Sequence, residues 1–156
     1  MSQTAAMEIR QIKTEELFSQ AGFKRLCAEY ALESGNPDLG SGNPCFEHYK
    51  RLEEQGILSI VAAFNDEGLI GFAEVSVLTH PHYGKLIGSI GTMWLKKEAR
   101  KGPAGLRLIR KLMRVAESKG AVGVYCTAPF GSRLELLYER LFKRTDSVFW
   151  AKFEGI

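Results

Sequence analysis

No apolar run in the 156 residues approaches the ~20 positions of a membrane-spanning helix, so no span is expected. Cysteine is scarce: Cys27, Cys45 and Cys126 are odd in number and widely spaced, which argues against a disulfide framework. The few histidines give Cys45-Phe46-Glu47-His48 and His80-Pro81-His82, neither with a second ligand pair at a recognisable spacing, so no metal is expected. There is no Ser or Cys nucleophile in a G-x-S-x-G or similar setting, no G-x-x-x-x-G-K-[ST] and no G-x-G-x-x-G. The opening MSQTAAMEIR lacks the layout of a signal peptide, and a reduced cytoplasm is the expected location. A formal charge of +3 permits an anionic ligand without pointing to nucleic acid. With 45% apolar and 25% charged residues, the chain reads as one ordinary globular domain, with residues 1–6 loose.

What is present centres on Leu86 to Gly120. An apolar run, LIGSIGTMWL, is followed by the polar connection KKEARKGPAG and then by the amphipathic LRLIRKLMRVAESK, stopped by Gly120. Strand, glycine-bearing loop and helix start together suit an anion, because a helix N-terminus offers unpaired N–H groups and a partial positive charge. Before this stretch, Met7–Ile12 alternates as a strand, Thr14 is a candidate N-cap, and Phe23, Leu26, Cys27, Tyr30 and Ala31 mark a core-facing helix ending at Gly35, in the place of a left-handed C-cap. The turn-rich Asn36–Pro44 reads as a connector or a mobile rim, and Asn43-Pro44 opens a third helix running to about Gln55. The period then changes. Ile57–Phe64 and Leu69–Thr79 form a hairpin about Asn65–Gly68, with Leu69, Ala73, Val75 and Val77 on one face and Phe72, Glu74, Ser76 and Leu78 on the other. The turn His80–Lys85 leads to the central strand. After the helix come a strand at Ala121–Thr127, a helix at Ser132–Phe142 and a last strand at Ser147–Phe153. The order is that of an α+β protein with a mixed sheet.

Arg107, Arg110, Lys111 and Arg114 share one helix face and read as its solvated side, with nucleic-acid contact the lesser reading. Tyr138 lies on an apolar helix face, and Glu74 alternates with apolar residues mid-strand, either on the sheet surface or looking into a cleft.

Taken together these parts resemble the GNAT superfamily of N-acetyltransferases, chiefly over Met93–Gly120. Leu95-Lys96-Lys97-Glu98-Ala99-Arg100 is similar to the family's V-x-P-E-Y-R, Arg100–Gly105 stands where its R/Q-x-x-G-x-G/A loop stands, and Leu136–Phe142 resembles L-Y-E-K-x-G-F. The chain departs at Lys97, Ala99 and Leu141, and at Pro103, which removes one N–H donor. The resemblance implies a mostly antiparallel sheet of six to seven strands, helices on both faces, and a splay between the fourth and fifth strands that admits acetyl-CoA. It implies that Met93, Trp94 and Leu95 meet the pantetheine arm and the thioester carbonyl, and that Arg100, Lys101, Gly102, Ala104, Gly105 and Leu106 form the pyrophosphate loop. An amine of a small molecule or protein would attack directly, with Tyr138 as general acid and Glu74 as first candidate base, ahead of His80, His82 or a water chain. A homodimer is compatible with family habit. The alternative is a non-catalytic GNAT-like module that binds CoA or a protein partner, motivated by Pro103 and the absence of a strong base.

Overall fold

Residues 6–154 are described by a computed structural model; the expectation for residues 1–6 falls, but for Ala6, outside them. The alternating and helical patterns become β1 (Glu8–Ile12), α1 (Thr14–Ser19), α2 (Phe23–Glu33), α3 (Phe46–Glu54), β2 (Leu58–Asn65), β3 (Gly68–His80), β4 (Lys85–Leu95), α4 (Ala104–Ser118), β5 (Val124–Cys126) and α5 (Arg133–Leu141). Short 3₁₀ turns occupy Pro37–Leu39 and Lys97–Lys101. The strands lie in sequence order in one sheet. β1 to β4 are antiparallel neighbours, and β4 and β5 are parallel, joined by the helical crossover that parallel strands require.

Helices cover both faces. On one, Ile60, Ala62, Phe72 and Trp94 pack with Leu17 of α1, with Phe23, Leu26 and Cys27 of α2, and with Tyr49 and Leu52 of α3. On the other, Val61, Ala73, Val75 and Ile90 meet Leu108, Leu112, Val115 and Ala116 of α4. The α4 residues recur at i, i+4, i+7 and i+8, so a single stripe faces the sheet. Each fully buried Leu, Ile, Val or Phe among them contributes roughly 1.5–3 kcal/mol.

Several local expectations shift. Thr14 lies inside α1 rather than capping it, and its N–H donates to the Glu53 carboxylate at 2.9 Å. α3 begins at Phe46 with Cys45 as its cap residue, two positions beyond Asn43-Pro44. Gly35 is not left-handed. It is small because the chain passes close by, and a Cβ there would sit 2.6 Å from the Ala31 carbonyl oxygen.

Two register shifts matter more. Ala63 pairs with Gly71 but Phe64 with Leu69, so the period-2 pattern breaks and Leu69 joins Phe72 on the α2 side instead of facing α4. In the next ladder Val75 pairs with Ile90 but Ala73 with Met93, which leaves Gly91 and Thr92 together opposite Glu74. Beyond this bulge, Met93 packs on the α4 side and Trp94 on the α2 side. Gly71 is held by close approach, since a Cβ would meet the Trp94 carbonyl oxygen at 2.6 Å and Leu95 Cδ1 at 2.7 Å. Gly71→Ala is therefore expected to cost about 1–3 kcal/mol, read as a lowered thermal midpoint.

Among the described residues the sheet has five strands rather than six or seven. Ser147–Phe153 makes no ladder with it there, and among the same residues the segment's lateral tie is at Asp38, which accepts from Trp150 Nε1 and Lys152 Nζ at 3.0 Å each.

Candidate active site

β4 and β5 are paired only from Gly88–Ile90 to Val124–Cys126. Past this point β4 continues to Leu95, while the chain after β5 turns through Thr127 and Pro129 toward α5. The strands therefore splay, with Thr127 Oγ1 donating to the Ile90 carbonyl at 3.3 Å at the fork. Lys96 N–H bonds the Ile70 carbonyl on the β3 side. By alternation, Met93 and Leu95 turn their main-chain polar groups to the opening. The result is a strand edge with no partner strand, lining a cleft.

The cleft encloses about 480 Å³. Its walls are Gly91, Met93 and Leu95 of β4, Tyr30 of α2 and Ser34 just after it, and the α5 face that includes Leu137 and Arg140. Its outer end is closed by Arg100, Gly102, Gly105 and Leu106. α4 starts there, and none of the N–H groups of Ala104, Gly105 and Leu106 donates to a main-chain carbonyl; the first to do so is Arg107, to Pro103 at 3.0 Å. These free donors and the helix dipole give this end positive character. Arg133 and Arg140 add two guanidinium groups with no ion pair among the described residues. Pro103 sits just before the helix, where no N–H is needed by the helix itself. A Cβ on Gly102 or Gly105 would meet no atom within 4 Å, so both glycines leave space open at this end.

Arg100 is already engaged. Its Nε donates to the Leu95 carbonyl at 2.8 Å, its Nη1 and Nη2 to the Glu33 carboxylate at 2.6 and 3.3 Å, and its guanidinium lies 4.3 Å from the Trp94 ring centroid. It pins the loop to α2 while forming part of the rim.

Glu74 and Tyr138 flank the fork from opposite faces of the sheet. Glu74 lies beside Gly91, its Oε1 4.0 Å from where a Cβ would stand. Burial pushes its carboxyl above the usual carboxylate value, opposed by hydroxyls of Tyr49 and Thr92 that favour the ionised form. Glu74 Oε2 is buried with no hydrogen-bond partner. The neighbouring Cys27 thiol is pushed up to about 11, by burial and then by the Glu74 charge. Tyr138, 8% exposed, directs its hydroxyl at the Met93 thioether, 4.0 Å away. Burial, with Cys126 beside it, raises the phenol well above its ordinary value, so it keeps its proton at neutral pH.

Of the residues expected from sequence, Met93, Leu95, Arg100, Gly102, Gly105 and Leu106 come together around the cleft. Trp94, Lys101, Ala104, Glu74 and Tyr138 flank it without lining it. His80 and His82 do not join them: they sit in the turn stacked about Tyr83, six residues along β3 from Glu74, roughly 20 Å of extended chain. Sequence reasoning missed Tyr49 and Thr92 around Glu74. No local signal marks Tyr49, whereas Gly91 inside a strand signals the bulge that presents Thr92.

Comparison with known proteins agrees with this geometry. Similar solved structures include the ribosomal-protein-alanine N-acetyltransferase of Brucella melitensis biovar Abortus 2308, at TM-score 0.72 and 21% identity over 95% of this chain and 99% of that one. The aminoglycoside N-acetyltransferase AAC(6')-Iy in complex with CoA gives 0.73 and 19%, over 99% of each chain. The glucosamine-6-phosphate N-acetyltransferase of Arabidopsis thaliana gives 0.71 and 15%, over 96% and 99%. A comparison with curated protein sequences finds no match. The model of the acetyltransferase (GNAT) family matches residues 19–142, most of the length, and the chain belongs to that family.

Proposed function

We propose that this single-domain protein is an acetyl-CoA-dependent N-acetyltransferase. The observation that carries the reading is the splay itself: a β4 edge with no partner strand at Met93 and Leu95, its Leu95 carbonyl taken by Arg100, runs directly to the free N–H groups at the start of α4. The cleft residues fit the donor. The strand edge offers main-chain partners to an amide-bearing arm, as an added strand would. Ala104, Gly105 and Leu106, with Lys101 and Gly102 before them, would hold a pyrophosphate, helped by the arginines of the rim. Bound acetyl-CoA supplies an activated thioester, so no enzyme nucleophile is needed.

The chain's own residues then have definite tasks. The Met93 N–H, facing the opening, is placed to donate to a carbonyl oxygen lying along the edge. Glu74, raised by burial and lacking a partner for Oε2, takes a proton from the incoming ammonium or amine. Tyr138 Oη, facing only a weak thioether acceptor, holds the proton that a departing thiolate requires. Tyr30 and Tyr49 border the Glu74 side, where the acceptor amine enters.

The donor site is tested by Gly105→Val. Its added carbons project where nothing now lies, so the free protein keeps its thermal midpoint, while acetyl-CoA binding weakens about tenfold, or 1.4 kcal/mol. Binding unchanged within error by calorimetry would place the pyrophosphate elsewhere. A non-catalytic CoA-binding module is the second reading, favoured by the missing donor at Pro103. It predicts stabilisation by CoA with no amine-dependent thiol release.

A further inference from the structure

The sheet face that carries Glu74 is covered at one end only. There Ile60, Ala62, Phe72 and Trp94 lie beneath α1, α2 and α3. Past Glu74, toward the His80–Lys85 turn, the face opens: Leu78 is 53% exposed, Ser89 and Lys85 are exposed, and Ser76, Ile87 and His80 are half-buried. The opposite face of the same strands is closed by α4, through Val75, Val77 and Ile90.

The open part is a ladder of three rungs. Ser76 pairs with Ser89, Leu78 with Ile87, and His80 with Lys85. Successive rungs stand two residues apart, about 6.8 Å, which is also the interval at which an extended peptide turns its side chains to one side. Their character changes along the line, from hydroxyls nearest Glu74, through alkyl side chains, to an imidazole and an ammonium. The charge changes with it. Between Glu74 and Glu98 the sequence holds no Asp or Glu, so the line starts at a carboxylate and finishes at Lys85.

We infer, resting on the reading that Glu74 receives the acceptor amine, that the acceptor is the free N-terminus of an extended polypeptide lying along this ladder, with an acidic side chain at about its seventh position. The α-amine meets Glu74 beside the fork. The third side chain then lies over the two serines, whose hydroxyls donate and accept, the fifth over Leu78 and Ile87, and the seventh at Lys85 with His80 beside it. The polypeptide has to end at Glu74, because beyond that point α2 and α3 close the face over Phe72 and Trp94. A compact polycation suits neither end: it finds one carboxylate, and a like charge at Lys85. A free amino acid is too short to bridge the ~20 Å between Glu74 and the last rung.

Heptapeptide amides with a free N-terminus, followed by thiol release from acetyl-CoA, test the inference. Asp at position seven should exceed Lys at position seven about fivefold in kcat/KM, the scale of one exposed attraction set against one exposed repulsion, with the difference carried by KM. The preference should shrink at high salt and invert in Lys85→Glu, whose exposed site keeps the thermal midpoint unchanged. Leu at position five should exceed Asp there about tenfold. A peptide with a blocked N-terminus and an internal lysine should stay at background. Indifference to positions five and seven, turnover of the blocked peptide at the rate of the free one, or polyamines or aminosugars turned over faster than every peptide would each overturn the inference while leaving acetyl transfer in place. Thiol release with none of these amines would overturn both.

Discussion

Tyr138→Phe is expected to lower turnover by about 10²-fold or more, the lower end of what a positioned general acid supplies, or about 2.7 kcal/mol of barrier. Acetyl-CoA affinity should stay within about twofold, since the ring that fills the space behind Met93 remains. The structure makes this substitution unusually clean. The lost hydroxyl faces only the Met93 sulfur at 4.0 Å, a weak acceptor, so its removal strands no buried partner and the fold should hold. Because burial raises the phenol, the wild-type group remains protonated across the neutral range, and the deficit should be nearly constant from pH 6 to 9. Steady-state kinetics with calorimetric binding separate these effects. A variant with the wild-type rate would falsify the general-acid role.

Glu74→Gln should reduce kcat/KM by about 10²-fold at neutral pH, with a pH signature that a merely structural residue would not give. The ratio of wild-type to variant rate cancels titration of the amine itself. It should rise with pH through the carboxyl's own pKa, which burial places above the ordinary carboxylate value, and then level off. The same shift fixes a stability effect of opposite sense. A carboxyl whose folded pKa is raised binds its proton more tightly in the folded state. Its contribution to stability is fully present below the unfolded pKa and is lost as pH rises through the folded one. Above its folded pKa the ionised, buried Glu74, with Oε2 unpartnered, is therefore a liability. Glu74→Gln should raise the thermal midpoint at pH values above the folded pKa and bring no gain below the unfolded one. An unchanged rate would assign the proton to a water chain or another group, since His80 and His82 stand in a distant turn.

The element order was legible because it rests on local periodicity. The stripe Leu108, Leu112, Val115 and Ala116, the Ser132 cap accepting from the Glu135 N–H, and Gly120 at φ 89° are all encoded within a few residues. The faces of β3 were less so. Alternation alone misplaces Leu69, because a bulge at Gly71 reverses the parity, and the second bulge at Gly91–Thr92 hides which β4 groups face the opening. In both places the warning was an isolated glycine within a strand. The surroundings of Glu74 depend on Tyr49, 25 positions earlier, and no local pattern joins those two residues. The hold of Glu33 on Arg100 spans 67 positions, and is likewise a product of the tertiary fold. Ser147–Phe153 is a strand by pattern, but a strand needs an edge, and its own chain does not bring it to one.

The β4–β5 opening is proposed to hold acetyl-CoA for transfer to an amine. Amine-dependent release of free thiol from acetyl-CoA, followed over a panel from polyamines and aminosugars to peptide N-termini, tests it most directly. Release is expected with at least one amine class, slowed about 10²-fold in Tyr138→Phe and in Glu74→Gln. Acetyl-CoA consumption no faster than the amine-free background across the whole panel, by a protein that acetyl-CoA stabilises, would contradict the transfer and leave a binding module in its place.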